Sequence, residues 1–281
     1  MCRVFGFKSV ISSQVHTSLT ESENALAIQS KEHPHGWGVA YYVAGAPHLI
    51  KNVDSAVESN LFKRVSGVVS SNTVVAHIRK ATLGVNSIVN THPFQYGPWV
   101  FAHNGHIHEF EKYKEDLLNL VAPNLRRFVL GETDSELIFY VILSELYTHY
   151  SILDRPSVSQ MSKVLDLALE RICNLIGDFS EEDTSSLECN YLTFVITNGD
   201  VILAHQGGKK LYYSTYKNRC SDRDTCSSFS QSCEAESEDG QVNHMIFSSE
   251  PLSGENVWLE LENGELMGVD NHMKIFRRDK K

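Results

Sequence analysis

The chain has 281 residues, and its hydrophobic content of 42% is enough for a sizeable buried core. Acidic side chains outnumber basic ones by 35 to 25, which argues against the broad basic surface that nucleic-acid binding requires. No apolar run approaches the ~18 residues that span a bilayer, and the N-terminus lacks a convincing secretory signal. We therefore expect a cytoplasmic protein whose six cysteines are thiols.

The first predicted strand lies in MCRVFGF and begins with a cysteine directly after the initiator methionine. Removal of Met1 would give Cys2 a thiol and a free α-amine. Roughly a tenth of such an amine is a neutral base at pH 7, so it can take the proton of the thiol. N-terminal-nucleophile hydrolases use this chemistry, but the pattern alone is weak, because a second-position cysteine is usually just a small residue.

Further strands are predicted in GWGVAYYV and TVVAHIR. The second of these places Arg79 at the rim of a sheet, with Thr82 and Gly84 in the loop that follows. A rim arginine suits a bidentate grip on a carboxylate, although such a residue is more often a surface ion-pair partner.

The strand predicted in WVFAHNG ends in Asn104 and Gly105. Asn-Gly after a strand is ordinarily a turn. The functional alternative is an oxyanion hole, in which the Asn104 side-chain amide and the Gly105 backbone N–H are the donors.

The middle of the chain is predicted to be helical. One buried helix starts near Thr133, which has capping-box spacing with Glu136, and a second covers Val158 to Ile176. Asp134 lies in the first turn of the earlier helix, where the helix dipole favours an acid. The alternative is that its carboxylate holds a substrate ammonium group.

The last third returns to strands. YLTFVIT and VILAHQ flank Asn198-Gly199, a strong hairpin signal, and a second hairpin is predicted at NVWLEL–ENG–ELMGV. The polar stretch 218–243 has little to bury, so we expect a mobile surface insertion there. Strands, then helices, then strands, without regular βα alternation, predict an α+β layered fold and one domain over residues 2–281.

Four motifs taken together suggest a substrate. A cysteine nucleophile with its own base, an oxyanion hole, a carboxylate clamp and an ammonium clamp complement an α-amino acid that carries a side-chain amide. Glutamine fits that description.

The same motifs resemble a known family. Cys at position 2, HIRKAT, AHNG and TDSE, in this order, closely resemble the class II glutamine amidotransferases. HGWGVAYY and FSSEPLSGENVWLELENGEL look like the stand-alone bacterial branch of that family. The resemblance spans Cys2 to about Val269 and implies the Ntn-hydrolase fold, a four-layer αββα sandwich with two antiparallel sheets between helical layers.

The resemblance also implies roles for individual residues. With Met1 removed, Cys2 would be the nucleophile and its α-amine the base, while Asn104 and Gly105 would form the oxyanion hole. No cofactor and no metal is implied.

By the same resemblance, Arg79 would hold the substrate α-carboxylate and Thr82 would line the same pocket. Asp134 would bind the α-ammonium group. His92 resembles a position near this pocket, without a catalytic role.

Two residues depart from the family pattern. Many relatives have Asn where this chain has His106, and relatives often carry an aromatic residue where it has Lys80. These departures leave the chemistry intact and concern the finer contacts of the pocket.

The substrate and partner stay open at this point. The glutaminase-like region occupies most of the 281 residues, so either a separate synthase accepts the ammonia or the enzyme simply hydrolyses a γ-glutamyl bond. Related stand-alone enzymes cleave γ-glutamyl amides in glutathione degradation and ergothioneine synthesis. An alternative of another class is a catalytically silent γ-glutamyl-binding regulatory subunit.

A zinc site formed by Cys220, Cys226, Cys233 and His244 is a further alternative. The spacings between these cysteines lack the CxxC knuckle that is typical of structural zinc, which makes mobile loop thiols the better interpretation.

Overall fold

The computed structural model describes residues 2–279, which form two antiparallel sheets. The strands are, in chain order, β1 (Arg3–Gln14), β2 (Trp37–Val43), β3 (Ala46–Asn52), β4 (Ser70–Ile78), β5 (Phe94–Tyr96), β6 (Trp99–His106), β7 (Tyr191–Thr197), β8 (Ile202–His205), β9 (Tyr212–Ser214), β10 (His244–Ser248), β11 (Leu259–Glu260), β12 (Leu266–Val269) and β13 (Ile275–Arg278). The α-helices are α1 (Leu26–Gln29), α2 (Asn60–Val68), α3 (Phe110–Leu120), α4 (Asp134–His149) and α5 (Val158–Ile176).

The first sheet has the strand order β11-β9-β10-β1-β4-β2-β3, and the second has the order β13-β12-β8-β7-β6-β5. In the first sheet β1 lies between β10 and β4, where Phe5 is opposite Ser248 on one side and Ala76 on the other. This register brings the start of β1 next to the end of β4. The beginning of the chain therefore lies at the rim that carries Arg79.

Three apolar layers separate the sheets and helices. Val4 and Val75 of the first sheet pack with Val100 and Val195 of the second, between the two sheets. Helices α3, α4 and α5 cover the other face of the second sheet. Residues of α1 and α2, including Phe62, pack on the outer face of the first. The expected αββα arrangement is confirmed.

The two long helices begin where the sequence predicts. Helix α5 has the predicted bounds, with a full capping box between Ser157 and Gln160. At α4 the Thr133 hydroxyl accepts from the Glu136 N–H at 3.3 Å. The Glu136 carboxylate, however, accepts from the N–H groups of Leu130 and Gly131, so this box is only half formed.

One hairpin prediction is confirmed and the other is wrong. Strands β7 and β8 pair across Asn198-Gly199, with Gly199 at a φ of 88°. The segments predicted as a second hairpin instead lie in different sheets, because β11 pairs with β9 whereas β12 pairs with β8 and β13. The turn between them carries the chain from one sheet to the other.

The polar stretch 218–243 contains a single turn of 3-10 helix, Gln231–Cys233, within the part of the chain described. It is tied to the body of the protein by the Asn218 N–H, which donates to the Glu255 carbonyl at 2.7 Å. Its mobility, and the extent of the domain, remain predictions. Across residues 2–279, no helix is long and apolar enough to cross a membrane.

Candidate active site

The thiol of Cys2 lies against the backbone of Lys80. Pairing of β1 with β4 sets Arg3 opposite Ile78, so the residues just beyond these two meet at the rim. The Lys80 N–H donates to Cys2 Sγ at 3.3 Å, and the Sγ is 3.5 Å from the Lys80 carbonyl oxygen. Burial raises the pKa of the Cys2 thiol, and the hydrogen bond from Lys80 offsets part of this rise. The thiol is therefore protonated at neutral pH and needs a base.

Arg79 follows the last residue of β4 and is only 3% exposed. Its guanidinium donates to the Leu83 carbonyl at 2.9 Å and to Asn86 Oδ1 at 3.0 Å, and it lies 3.4 Å from the carbonyls of Gly84 and Val85. It is thus a buried cation surrounded by neutral oxygens of its own loop, not a surface ion-pair partner.

Asn104 and Gly105 lie inside β6 and not in a turn, since Gly105 pairs with Leu192 of β7. A Cβ added to Gly105 would stand 2.7 Å from the carbonyl carbon of Tyr191, so only glycine fits here. The Asn104 Nδ2 donates to Ser249 Oγ at 3.3 Å. Its Oδ1 is buried and, within residues 2–279, has no hydrogen-bond partner.

Asp134 is the first residue of α4 and is 3% exposed. One carboxylate oxygen accepts from the Ile107 N–H at 2.7 Å, and the other accepts from the Ser135 N–H at 2.6 Å. These two bonds fix the carboxylate between the end of β6 and the start of the helix.

One pocket brings most of the predicted residues together. It is lined by Cys2, Arg79, Thr82, Gly105 and Asp134, together with His92, His103 and Lys80. Asn104 precedes Gly105 in β6 and does not line this pocket. The four sequence motifs thus converge at one place, where the Cys2 thiol, the Arg79 guanidinium and the Asp134 carboxylate lie at a common pocket.

The buried histidines near the thiol are poor bases. Burial lowers the pKa of His77 to about 3, and its ring lies 4.1 Å from that of His92. Burial also lowers the pKa values of His92 and His103. All three are neutral at pH 7, and their basicity is too low to deprotonate a thiol whose own pKa is raised.

The cysteines of the 218–243 stretch line a separate groove with His244. In the described part of the chain, no three His, Cys, Asp or Glu side chains are arranged to hold a metal ion. Cys220, Cys226 and Cys233 are free thiols.

Two contacts at the site escape sequence reasoning. Ser249 accepts from the Val4 N–H at 2.9 Å as well as from Asn104, which links the start of β1 to β6. The second is the backbone of Lys80, which contacts the thiol. The FSSE segment resembles the family, but its sequence does not indicate a role for Ser249. The two hydrogen-bond partners of Ser249 lie 145 and 245 residues away in the chain.

Comparison with known proteins places the chain in a family. Residues 1–275 match the model of class II glutamine amidotransferases. An uncharacterized protein from Methanocaldococcus jannaschii is 29% identical over 98% of this chain and 71% of its own length. A probable glutamine amidotransferase from Saccharomyces cerevisiae is 28% identical over 72% of this chain and 62% of its own.

A shorter similarity covers 37% of the chain and 49% of a γ-glutamyl-hercynylcysteine sulfoxide hydrolase from Mycobacterium tuberculosis, at 29% identity. Among solved structures, a glutamine aminotransferase class-II domain protein from Silicibacter pomeroyi superposes with a TM-score of 0.65 at 20% identity. That superposition covers 99% of this chain and 98% of the other, which shows a shared fold.

Proposed function

Because the chain belongs to the class II glutamine amidotransferases, we propose that it cleaves the γ-amide of glutamine or of a γ-glutamyl compound. The observation that carries this proposal is the pocket in which Cys2 faces a buried cation, Arg79, and a buried carboxylate, Asp134. An α-amino acid presents the opposite charges at one end, and its side-chain carbonyl then reaches the thiol.

In the proposed reaction, removal of Met1 first frees the α-amine of Cys2. The amine takes the thiol proton, and Sγ attacks the γ-carbonyl carbon to form a tetrahedral intermediate. The Asn104 Nδ2 turns from Ser249 to the oxyanion, which the Gly105 N–H also stabilises. The ammonium then protonates the leaving nitrogen, and the C–N bond breaks to give a γ-glutamyl thioester. Water attacks the thioester and releases glutamate and the thiol.

The base in this scheme is the amine because the other candidates are unsuitable. The neighbouring imidazoles are neutral groups with depressed pKa values. An α-amine with an ordinary pKa of about 7.7–8.0 matches the task at neutral pH.

The binding roles are also proposals. Arg79 would exchange some of its loop contacts for the substrate α-carboxylate, with Thr82 beside it. Asp134 would bind the α-ammonium, since both of its oxygens are already oriented by backbone N–H groups. We propose no cofactor and no metal, and one glutamine amidotransferase type-2 domain over residues 2–281 with an insertion at 218–243.

The leaving group distinguishes two versions of this function. Ammonia released from glutamine would pass to a synthase partner, whereas a larger amine would mark a free-standing γ-glutamyl hydrolase. The similarity to a γ-glutamyl-hercynylcysteine sulfoxide hydrolase favours the second version for part of the chain.

Glutamate release by untagged protein tests the proposal, with glutamine, glutathione and other γ-glutamyl amides as substrates. Cys2→Ala should abolish release, while Cys173→Ala, which changes a cysteine in α5, should leave it intact. An N-terminal tag that blocks processing should also abolish release. Full activity with the tag in place would refute the mechanism, and no release by processed protein would favour a silent binding subunit.

A further inference from the structure

We propose that Lys80 selects substrates whose leaving group carries a carboxylate, so that the preferred substrates are γ-glutamyl amides of acidic amines. This inference rests on the proposed function and names the leaving group for the same site. It starts from the position of Lys80, whose exposed side chain lines the pocket beside the thiol.

The direction of the leaving group follows from burial. The residues proposed to hold the glutamyl end, Arg79 and Asp134, are each 3% exposed and lie inside the pocket. A bound γ-glutamyl group therefore points inward from the thiol. Only the leaving amine can extend toward solvent, past the two exposed residues that line the pocket, Lys80 and Thr82. Of these two, only Lys80 carries a charge.

The backbone of Lys80 is fixed on both sides by His35. The His35 N–H donates to the Arg79 carbonyl at 3.1 Å, and its Nδ1 accepts from the Ala81 N–H at 3.0 Å. The Lys80 N–H donates to Cys2 Sγ. The root of the lysine side chain thus has a set position relative to the reacting atoms, while its ammonium is left in solvent.

The charge of Lys80 is not neutralised by a neighbouring acid. The nearby cation Arg3 is paired with the Glu250 carboxylate, whereas no carboxylate of residues 2–279 forms an ion pair with Lys80. The field of Lys80 and Arg3 reaches His33, whose pKa is lowered mainly by burial and further by these two charges. A carboxylate on the leaving amine would give Lys80 an opposite charge at the mouth of the pocket.

Two chromogenic substrates that differ by one carboxylate test this inference: L-γ-glutamyl-4-nitroanilide and L-γ-glutamyl-3-carboxy-4-nitroanilide. The quantity measured is the ratio of kcat/KM for the carboxylated to the plain anilide. Each variant is compared with itself, so a general loss of activity cancels.

We expect Lys80→Gln to lower this ratio by about 1.5-fold to fivefold, the range for an ion pair at an exposed site. Lys80→Glu should lower it further, and Lys80→Arg should retain it. The matched control is Lys63→Gln, which removes an exposed lysine of α2 and should leave the ratio unchanged. The wild-type ratio should also fall as ionic strength rises from about 0.01 M to 1 M, because salt screens the attraction.

The outcomes separate this inference from the function on which it rests. If wild type cleaves both anilides but the ratio is the same in all Lys80 variants, the inference is overturned and the proposed function stands. If processed wild type cleaves neither anilide and releases no glutamate from any γ-glutamyl compound, both are overturned.

Discussion

Asn104→Ala should slow catalysis far more than it weakens folding or substrate binding. In the proposed reaction the Asn104 Nδ2 donates to the oxyanion, and loss of one such donor lowers kcat by about 100-fold to 1,000-fold. In the free protein this amide donates to Ser249, and in the proposed reaction it donates to the oxyanion only as that charge forms, so KM should change little.

The structure also sets the expected stability cost. Asn104 Nδ2 makes one hydrogen bond, to Ser249 Oγ, and the loss of such a bond costs about 0.5–1.5 kcal/mol. Two features reduce this cost. Ser249 still accepts from the Val4 N–H, and the substitution removes a buried Oδ1 that has no partner within residues 2–279. We expect a loss of at most about 1 kcal/mol in the free energy of unfolding.

Ser249→Ala is the matched control, because it removes the shared partner and leaves the amide in place. The buried Val4 N–H then loses its acceptor, so the free energy of unfolding should fall by about 1–3 kcal/mol. The kcat should fall much less than in Asn104→Ala.

The assay is steady-state glutamate release beside urea unfolding of each variant. An Asn104→Ala enzyme with kcat within about threefold of wild type would refute the oxyanion role. A large rise in KM at unchanged kcat would also refute it, because that pattern indicates ground-state binding.

Two further predictions concern charge. Arg79→Gln should remove a charge-assisted contact with the substrate α-carboxylate, worth about 1.5–3 kcal/mol, so KM should rise by about 10-fold to 150-fold. The variant also loses the contacts of the guanidinium with Leu83 and Asn86, so proteolysis should cut the loop that contains these residues faster. An unchanged KM would contradict the role of Arg79 in binding the α-carboxylate. The second prediction is that the protein loses stability in acid. Burial lowers the folded-state pKa of His77 to about 3 and that of His205 to about 4, below the ordinary value of 6.5. As pH falls, the unfolded state therefore binds more protons at these histidines than the folded state does. The stability that depends on keeping these histidines neutral is fully present above pH 6.5 and is lost toward pH 4. Between pH 7 and pH 5 the free energy of unfolding should fall by about 2 kcal/mol per histidine. A free energy of urea unfolding that does not change with pH in this window would contradict the prediction.

Local patterns were sufficient to predict most elements that position the site. The apolar runs of β4 and β6 end in polar residues that mark the rim of the candidate site, and the apolar run of β1 begins at the same rim. The bounds of α5 follow from a regular apolar face and a capping box formed within four residues. These signals are local, so a single sequence carries them.

The wrong hairpin shows where local patterns fail. The residues ENG between two apolar segments are typical of a hairpin turn. In the structure, however, β11 pairs with β9, whereas β12 pairs with β8 and β13. The choice between the two sheets depends on which strand edges are available after folding, and no short segment encodes that.

The site shows the same limit. The family resemblance predicts a common pocket, yet the link between Asn104 and Ser249 depends on side chains that are distant in the chain. The self-contacts of Arg79 with its own loop also depend on the loop conformation. The resemblance names the residues, and the structure adds the neighbours that orient them.

The central claim is that processed Cys2 is the nucleophile of a γ-glutamyl pocket. The most direct test treats untagged protein with 6-diazo-5-oxo-L-norleucine, a glutamine analogue that carries an electrophilic carbon beside the γ-carbonyl. Intact mass and peptide mapping then locate the adduct, with excess glutamine as a competitor. We expect one adduct, on Cys2 of chains that lack Met1, and protection by glutamine. Labelling at another cysteine, or no labelling of fully processed protein, would contradict the claim.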